Sequence, residues 1–275
     1  MLKPRLITVL LLKNGVLVRS NTFSFHQHTG DPVGQVERFT AWKADELIYL
    51  DINRDDVHDF RQTMHVIGTT CSKKDLEATM TNDIIDIIRE VSKRCMIPLT
   101  VGGKIRTLDD IRIRLKNGAD KVSINTQALE DPSFIEKAAE AFGSQCIVVC
   151  VDVKKDAMTG KHEVYKHFGK EKTGLDPVEW CKEAERRGAG EILLQSIDRD
   201  GIGEGYDNDI IRRVADAVSI PVIALGGVGK FEHFVEGLKK GGASAVAAAN
   251  IFFFHEQSVI KAKKHMAACG IDVRL

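Results

Sequence analysis

The chain repeats itself, and that repetition limits its fold more than any other feature. Residues 97–126 read IPLTVGGKIRTLDDIRIRLKNGADKVSINT: a short apolar run, the pair Gly102-Gly103, a helical stretch, and a second apolar run ending at Asn125 and Thr126. Thr107 suits a helix N-cap, Asp109 and Asp110 suit the first turn, and Gly118 is the stop. The unit returns at residues 220–251 as IPVIALGGVGKFEHFVEGLKKGGASAVAAANI, matching Ile97 with Ile220, Gly103 with Gly227 and Ala119 with Ala243. Elsewhere ADELIYLDI (44–52) recurs as AGEILLQSI (189–197), and Asp31-Pro32-Val33 recurs as Asp176-Pro177-Val178. The chain is two related halves, and self-similarity of this kind decides architecture before local propensity does.

Apolar, β-branched runs lie near residues 6–12, 47–52, 97–101, 120–124, 146–152, 190–195, 221–225 and 244–249, with helical patterns near 32–43, 82–95, 107–117, 132–142, 177–187, 207–217, 230–240 and 256–268. Eight alternations predict an α/β chain folded as one (β/α)8 TIM barrel over residues 1–275, assembled from two duplicated half-barrels. The runs are nearly continuous in apolar residues, as strands covered on both faces require. An open doubly wound sheet is the alternative, but four units in each half favour closure. The first half is longer: Ile52 to Ile97 spans 45 positions where Ile197 to Ile220 spans 23. The excess is an insertion after strand two, at about residues 54–76. Val57, Phe60 and Met64 there fall on one helical face, and His58, His65 and Cys71 follow no metal-ligand spacing, so the segment reads as a lid or partner-docking insertion.

Lys+Arg and Asp+Glu balance at 39 each, which gives no electrostatic case for nucleic acid or a membrane surface. No apolar run reaches membrane-spanning length, and MLKPRLITVLLLKNG reads as a charged strand rather than a signal peptide. The six cysteines, at 71, 95, 146, 150, 181 and 269, form no CxxC pair or zinc spacing. Scattered thiols suit the reducing cytoplasm, and neither a metal nor a cofactor is expected.

In such barrels chemistry sits at the carboxyl ends of the strands. Strand one ends in Leu11, Leu12 and Lys13, and an aliphatic side chain cannot move a proton. Lys13 suits a phosphate ligand, a base or simple solvation. The loop that follows is long and carries His26 and His28, which read as surface residues rather than a metal pair. Strand five, CIVVCVDVKKD, puts Asp152 where Leu11 stands in the first half; Asp200 follows strand six, and Asp51 ends strand two. Carboxylates at strand ends are acid/base equipment, with a salt bridge or a loop cap as the plainer alternative. Gly103 with Asn125 and Thr126, and Gly226-Gly227 with Ala249 and Asn250, form two duplicated sets of backbone-exposing positions. Such sets bind anions and suggest a ligand with phosphate at both ends.

The segments ADELIYLDI, IPLTVGG, GADKVSINT, FGSQCIVV, GAGEILL, SIDRDG and GGASAVAAANIF resemble the cyclase subunit of imidazole glycerol phosphate synthase, over nearly the whole chain outside the insertion. The resemblance implies a half-barrel duplication with two phosphate sites and a glutaminase docked at the amino-terminal end, supplying ammonia through the barrel. Its chemistry uses aspartates at the ends of strands one and five. Asp152 matches the second, but the first, normally in C-L-D-V-K, is Leu11 in V-L-L-L-K. Lys104 replaces the third glycine after strand three, Leu225 a small polar residue before Gly226, and Gln195 the threonine before Ser196. By the same resemblance Arg5, Glu46, Lys121 and Glu191 match a ring of charges that gates ammonia, and all four are present.

That combination is similar to the cyclase paralogue of bacterial surface-polysaccharide clusters, which works with a dedicated glutaminase and a sugar amidotransferase to turn an N-acetyl group into an acetamidino group. It implies an ammonia relay. Two other functions fit: a genuine cyclase of histidine biosynthesis in which Lys13 or Asp51 replaces the missing aspartate, and a non-catalytic scaffold that activates the glutaminase.

Overall fold

A computed structural model describes residues 3–53, 84–254 and 256–275. In chain order its strands are β1 (Arg5–Lys13), β2 (Val16–Asn21), β3 (Phe25–Gly30), β4 (Glu46–Asp51), β5 (Leu99–Gly102), β6 (Lys121–Ile124), β7 (Ile147–Lys155), β8 (His162–Lys166), β9 (Glu171–Lys172), β10 (Glu191–Ser196), β11 (Val222–Leu225) and β12 (Ala245–Ala248). Eight of them, β1, β4, β5, β6, β7, β10, β11 and β12, pair in parallel, and the pairings of β7 with β10 and of β12 with β1 close the ring. This is the (β/α)8 barrel that the repeat demands. Among the described residues eight helices lie between the strands within the expected spans, from Pro32–Ala41 to Ser258–Ala268, and a short unexpected one, Thr126–Glu130, follows β6.

Local chemistry sets these boundaries. Asp31 and Asp176 each cap a helix that begins with proline: Asp31 Oδ1 accepts from Val33 N at 2.9 Å, and Asp176 Oδ1 from Val178 N at 2.8 Å. The two caps are one duplicated device, and each satisfies backbone donors that a first helical turn leaves open. Thr107 and Asp110 form a reciprocal capping box, and Gly118 stops that helix at φ +109°.

Alternation along the strands divides the apolar residues into two layers. Ile7, Val9 and Leu11 of β1 face inward with Ile48, Val148, Cys150, Leu193, Ile223, Leu225, Ala245 and Ala247. Leu6, Leu10 and Leu12 face the helices with Leu47, Tyr49, Val101, Val122 and Val149. Both faces are therefore apolar, which explains the continuous runs.

Two features differ from expectation. The long stretch after β1 is a hairpin, β2 and β3, that continues antiparallel from β1; β7 likewise runs past Asp152 and turns back through β8. The duplication also aligns one residue differently. A Cβ on Gly103 would lie 2.2 Å from Asp51 O, and one on Gly226 would lie 2.6 Å from Ser196 O, so Gly103 corresponds to Gly226 rather than to Gly227. Lys104 then occupies the place of Gly227. The insertion at 54–76, with Val57, Phe60, Met64, His58, His65 and Cys71, lies outside the described residues. Among the described residues no helix is long and apolar enough to cross a membrane.

Candidate functional site

The amino-terminal end of the barrel is closed by charge. Arg5, Glu46, Lys121 and Glu191 are the first residues of β1, β4, β6 and β10. Arg5 Nη1 donates to Glu46 Oε1 at 2.7 Å and to Glu191 Oε1 at 2.8 Å; Lys121 Nζ donates to Glu46 Oε2 at 3.3 Å and to Glu191 Oε2 at 3.1 Å. Each cation bridges both carboxylates, so the four form a complete ring. Burial works against the Arg5 charge, but Glu191 and Glu46 outweigh it and hold the guanidinium above its ordinary range. A ring of two cations and two anions compensates itself, which is how four charges persist where water is scarce.

The carboxyl-terminal end holds two cavities. The first, of about 320 Å³, lies over Leu11, Cys150, Asp152 and Gln195 and is lined also by Lys13, Asp51, Gly103, Lys104, Asn125 and Thr126. Asp152 is buried beneath it. Asn125 Nδ2 donates to Asp152 Oδ2 at 2.9 Å, and the Cys150 thiol approaches Oδ1 at 3.5 Å. Burial pushes the Asp152 carboxyl up to about 7, with Asp200 adding to the rise and the bonds from Cys150 and Asn125 opposing it. A carboxyl that exchanges its proton near neutrality can act as acid or base. Its partner position is Leu11, which carries no proton. Lys13 Nζ lies 3.3 Å from His26 Nδ1, and Lys104 Nζ lies 3.4 Å from Asp51 Oδ2.

The second cavity, of about 490 Å³, is lined by Asp200, Leu225, Gly226, Gly227, Ala249 and Asn250. The two expected phosphate sets therefore stand in separate cavities, and the hairpin β2–β3 lies between them. Ser20 lines both. Ser20 Oγ donates to Asp200 Oδ2 at 2.7 Å, Thr22 N donates to Asp200 O at 2.9 Å, and Asn250 Nδ2 donates to Ser20 O at 2.7 Å. Asp200 is thus the anchor of this strap; burial raises its carboxyl above the usual range while the bonds from Ser20 and Phe23 oppose the rise.

Sequence reasoning did not single out His162. Its Nε2 lies 2.8 Å from Asp207 Oδ2, and with Asp209 the pair forms a group within metal-ligating reach among the described residues. Burial opposes ionisation of Asp207, yet the bond from His162 holds its carboxylate below the ordinary range. A histidine on β8 and a carboxylate 45 positions away share no spacing that a sequence could disclose.

The barrel, the duplicated cavities and the strand-end aspartate are all found together with a match over residues 73–258 to the family described as histidine biosynthesis protein. The chain belongs to that family. The two halves of this histidine biosynthesis-type barrel differ at the matched ends of their first strands. The strand-one position is aliphatic while the strand-five aspartate remains buried and near neutral in its proton affinity.

Proposed function

We propose that this histidine biosynthesis-type barrel is the cyclase-like subunit of a glutamine-dependent amidotransferase system. It relays ammonia from a glutaminase docked at its amino-terminal face toward amidation of an N-acetyl sugar in surface-polysaccharide synthesis. The observation that carries this is the contrast between the ends: the four-charge ring is complete, while Leu11 removes one of the two acid/base positions. Between them stands an apolar interior that includes Ile7, Val9, Ile223, Ala245 and Ala247. Neutral ammonia enters such a medium at far lower cost than ammonium.

The test is Lys121→Ala in the assembled system fed with glutamine labelled on its amide nitrogen. The expected result is a folded variant that still binds and activates its glutaminase but releases labelled ammonia to solvent, lowering amidated product per glutamate formed. Transfer as efficient as wild type would make the ring structural and favour the scaffold reading.

A genuine cyclase remains the second reading because Asp152 exchanges its proton near neutrality, as a lone acid/base group would need. The purified chain, given the cyclase substrate and excess ammonium salt, decides it: turnover abolished by Asp152→Asn would establish the cyclase.

A further inference from the structure

The two half-barrels present different chemistry to the mouth. In the second, Gly226 and Gly227, both at φ +101°, keep side chains away from the cavity floor. In the first, Lys104 stands in the place of Gly227, at φ +53°, and its ammonium reaches the wholly buried side chain of Asp51 at 3.4 Å. The residues expected to hold an anion there have other partners. Asn125 Nδ2 donates to Asp152, the Thr126 hydroxyl accepts from His167 N at 3.2 Å, and Gly103 O accepts from Arg114 Nη2 at 3.0 Å. Lys13, the other ammonium of this cavity, lies against His26.

A phosphate brings a charge of about −1.5 to −2. In this cavity it would face the buried carboxyl of Asp51 and would have to compete with it for Lys104. An uncharged ligand meets neither obstacle. Beside the cations Lys13, Lys104 and Arg106, the cavity offers amides and rings: Asn53, Asn125, Gln127 and Gln195, with Phe23 and Phe168. Asn125 Oδ1 is buried with no hydrogen-bond partner among the described residues, so it lacks the donor that a ligand hydroxyl or amide N–H supplies. Side-chain amides donate and accept at once, which suits hydroxyl and acetamido groups, and a few such groups on apolar walls is the usual composition of a small-molecule site.

We propose that the cavity over the barrel axis binds an uncharged ligand rich in hydroxyl and amide groups, an N-acetylated monosaccharide unit, and excludes phosphate through the Lys104–Asp51 pair. The sugar identity rests on the function proposed above; the exclusion of phosphate does not. The place where ammonia would emerge, beside Leu11, Cys150 and Asp152, is then also where the acceptor amide is presented.

The experiment is a nitrogen-15 NMR titration of the full labelled chain with N-acetylglucosamine and, separately, with inorganic phosphate. The sugar is expected to move the side-chain amide signals of Asn125 and Gln195. Phosphate is expected to leave those signals, and the backbone amides of Gly103 and Lys104, in place. In Asp51→Asn, whose amide keeps the acceptor for Asn53 N, phosphate affinity at Lys104 should rise tenfold or more, with the rest of the spectrum reporting that the variant is folded. Phosphate moving Gly103, Lys104 and Asn125 in the wild type, or an Asp51→Asn variant no better at binding it, overturns the exclusion. Sugar that moves nothing overturns the ligand class while leaving ammonia relay, measured by nitrogen transfer, standing on its own test.

Discussion

Asp152→Asn should stabilise the protein, and should do so only above the pH at which an unfolded aspartate ionises. In the native barrel the carboxyl is buried and its proton leaves at about 7, against 3.8 for an ordinary aspartate. Below about pH 4 both states carry the proton, and Asp and Asn are near equivalents. As pH rises toward 7 the unfolded chain releases the proton while the folded chain keeps it, so the native state binds more protons and stability falls with pH. Above about 7 the loss is complete. At about 1.4 kcal/mol for each decade of proton concentration the whole interval amounts to about 4 kcal/mol, and about 2–4 kcal/mol is a fair expectation. The assay is denaturant unfolding of wild type and Asp152→Asn at pH 4 and pH 8, with the wild-type-minus-variant difference removing every other titrating group. The difference should be small at pH 4 and favour the variant at pH 8. A difference independent of pH, or a variant less stable at pH 8, would refute a buried carboxyl that keeps its proton to neutrality.

Leu11→Asp should not by itself create cyclase turnover with the cyclase substrate and ammonium salt, because Lys104, Leu225 and Gln195 also depart from the resembled pattern; turnover in the single variant would show that Leu11 alone disables the site. Asp176→Ala removes the acceptor for Val178 N and Glu179 N and should cost about 1 kcal/mol of stability in urea unfolding. Lys263 and Asp45 pair at 2.8 Å with side chains only 3% and 4% exposed, so Lys263→Ala should cost about 3–5 kcal/mol by stranding a buried carboxylate. Most of that should return when Asp45→Asn is added, and an unfolding midpoint unmoved by Lys263→Ala would show that water reaches the pair.

The barrel was legible because its evidence is local. A strand such as RLITVLLLK, buried on both faces, stays apolar through its length, and Asp31-Pro32 or Thr107 with Asp110 marks a helix start within a few residues. The hairpin β2–β3 was not legible, because FHQHTG offers little apolar alternation and its anchoring is remote: Ser20 finds Asp200 across 180 positions. The separation of the two cavities therefore could not be read from the chain. Nor could the ring. Arg5 and Glu191 lie 186 positions apart, and only the resemblance singled them out before geometry brought them together. The correspondence of Gly103 misled by one residue because Gly102-Gly103 and Gly226-Gly227 are identical as letters. They differ in backbone: φ is positive at Gly103 and Lys104 in one half and at Gly226 and Gly227 in the other.

The asymmetry between the ends of the barrel follows from what each can lose without penalty. At the carboxyl end Leu11 joins Val9, Val16, Val18 and Leu225 in the inner apolar cluster, so an aliphatic residue there is well packed. A carboxylate in its place would enter a site where Asp152 already resists ionisation, and the two would raise each other further. Leucine rather than a carboxylate at this position therefore spares the fold that cost. The amino-terminal ring has the opposite economy. Every oxygen of Glu46 and Glu191 that faces the axis is met by Arg5 or Lys121, so removing one member leaves buried charge without compensation. Four well-packed apolar residues would hold the same strand ends together at no such risk, since buried ion pairs are on balance no more stabilising than apolar replacements. A fold that only needed its bottom closed has an apolar solution available. Under the relay proposed above the ring has a further use, since ammonia, small and able to exchange hydrogen bonds with both carboxylates and cations, is the species that would have to pass it.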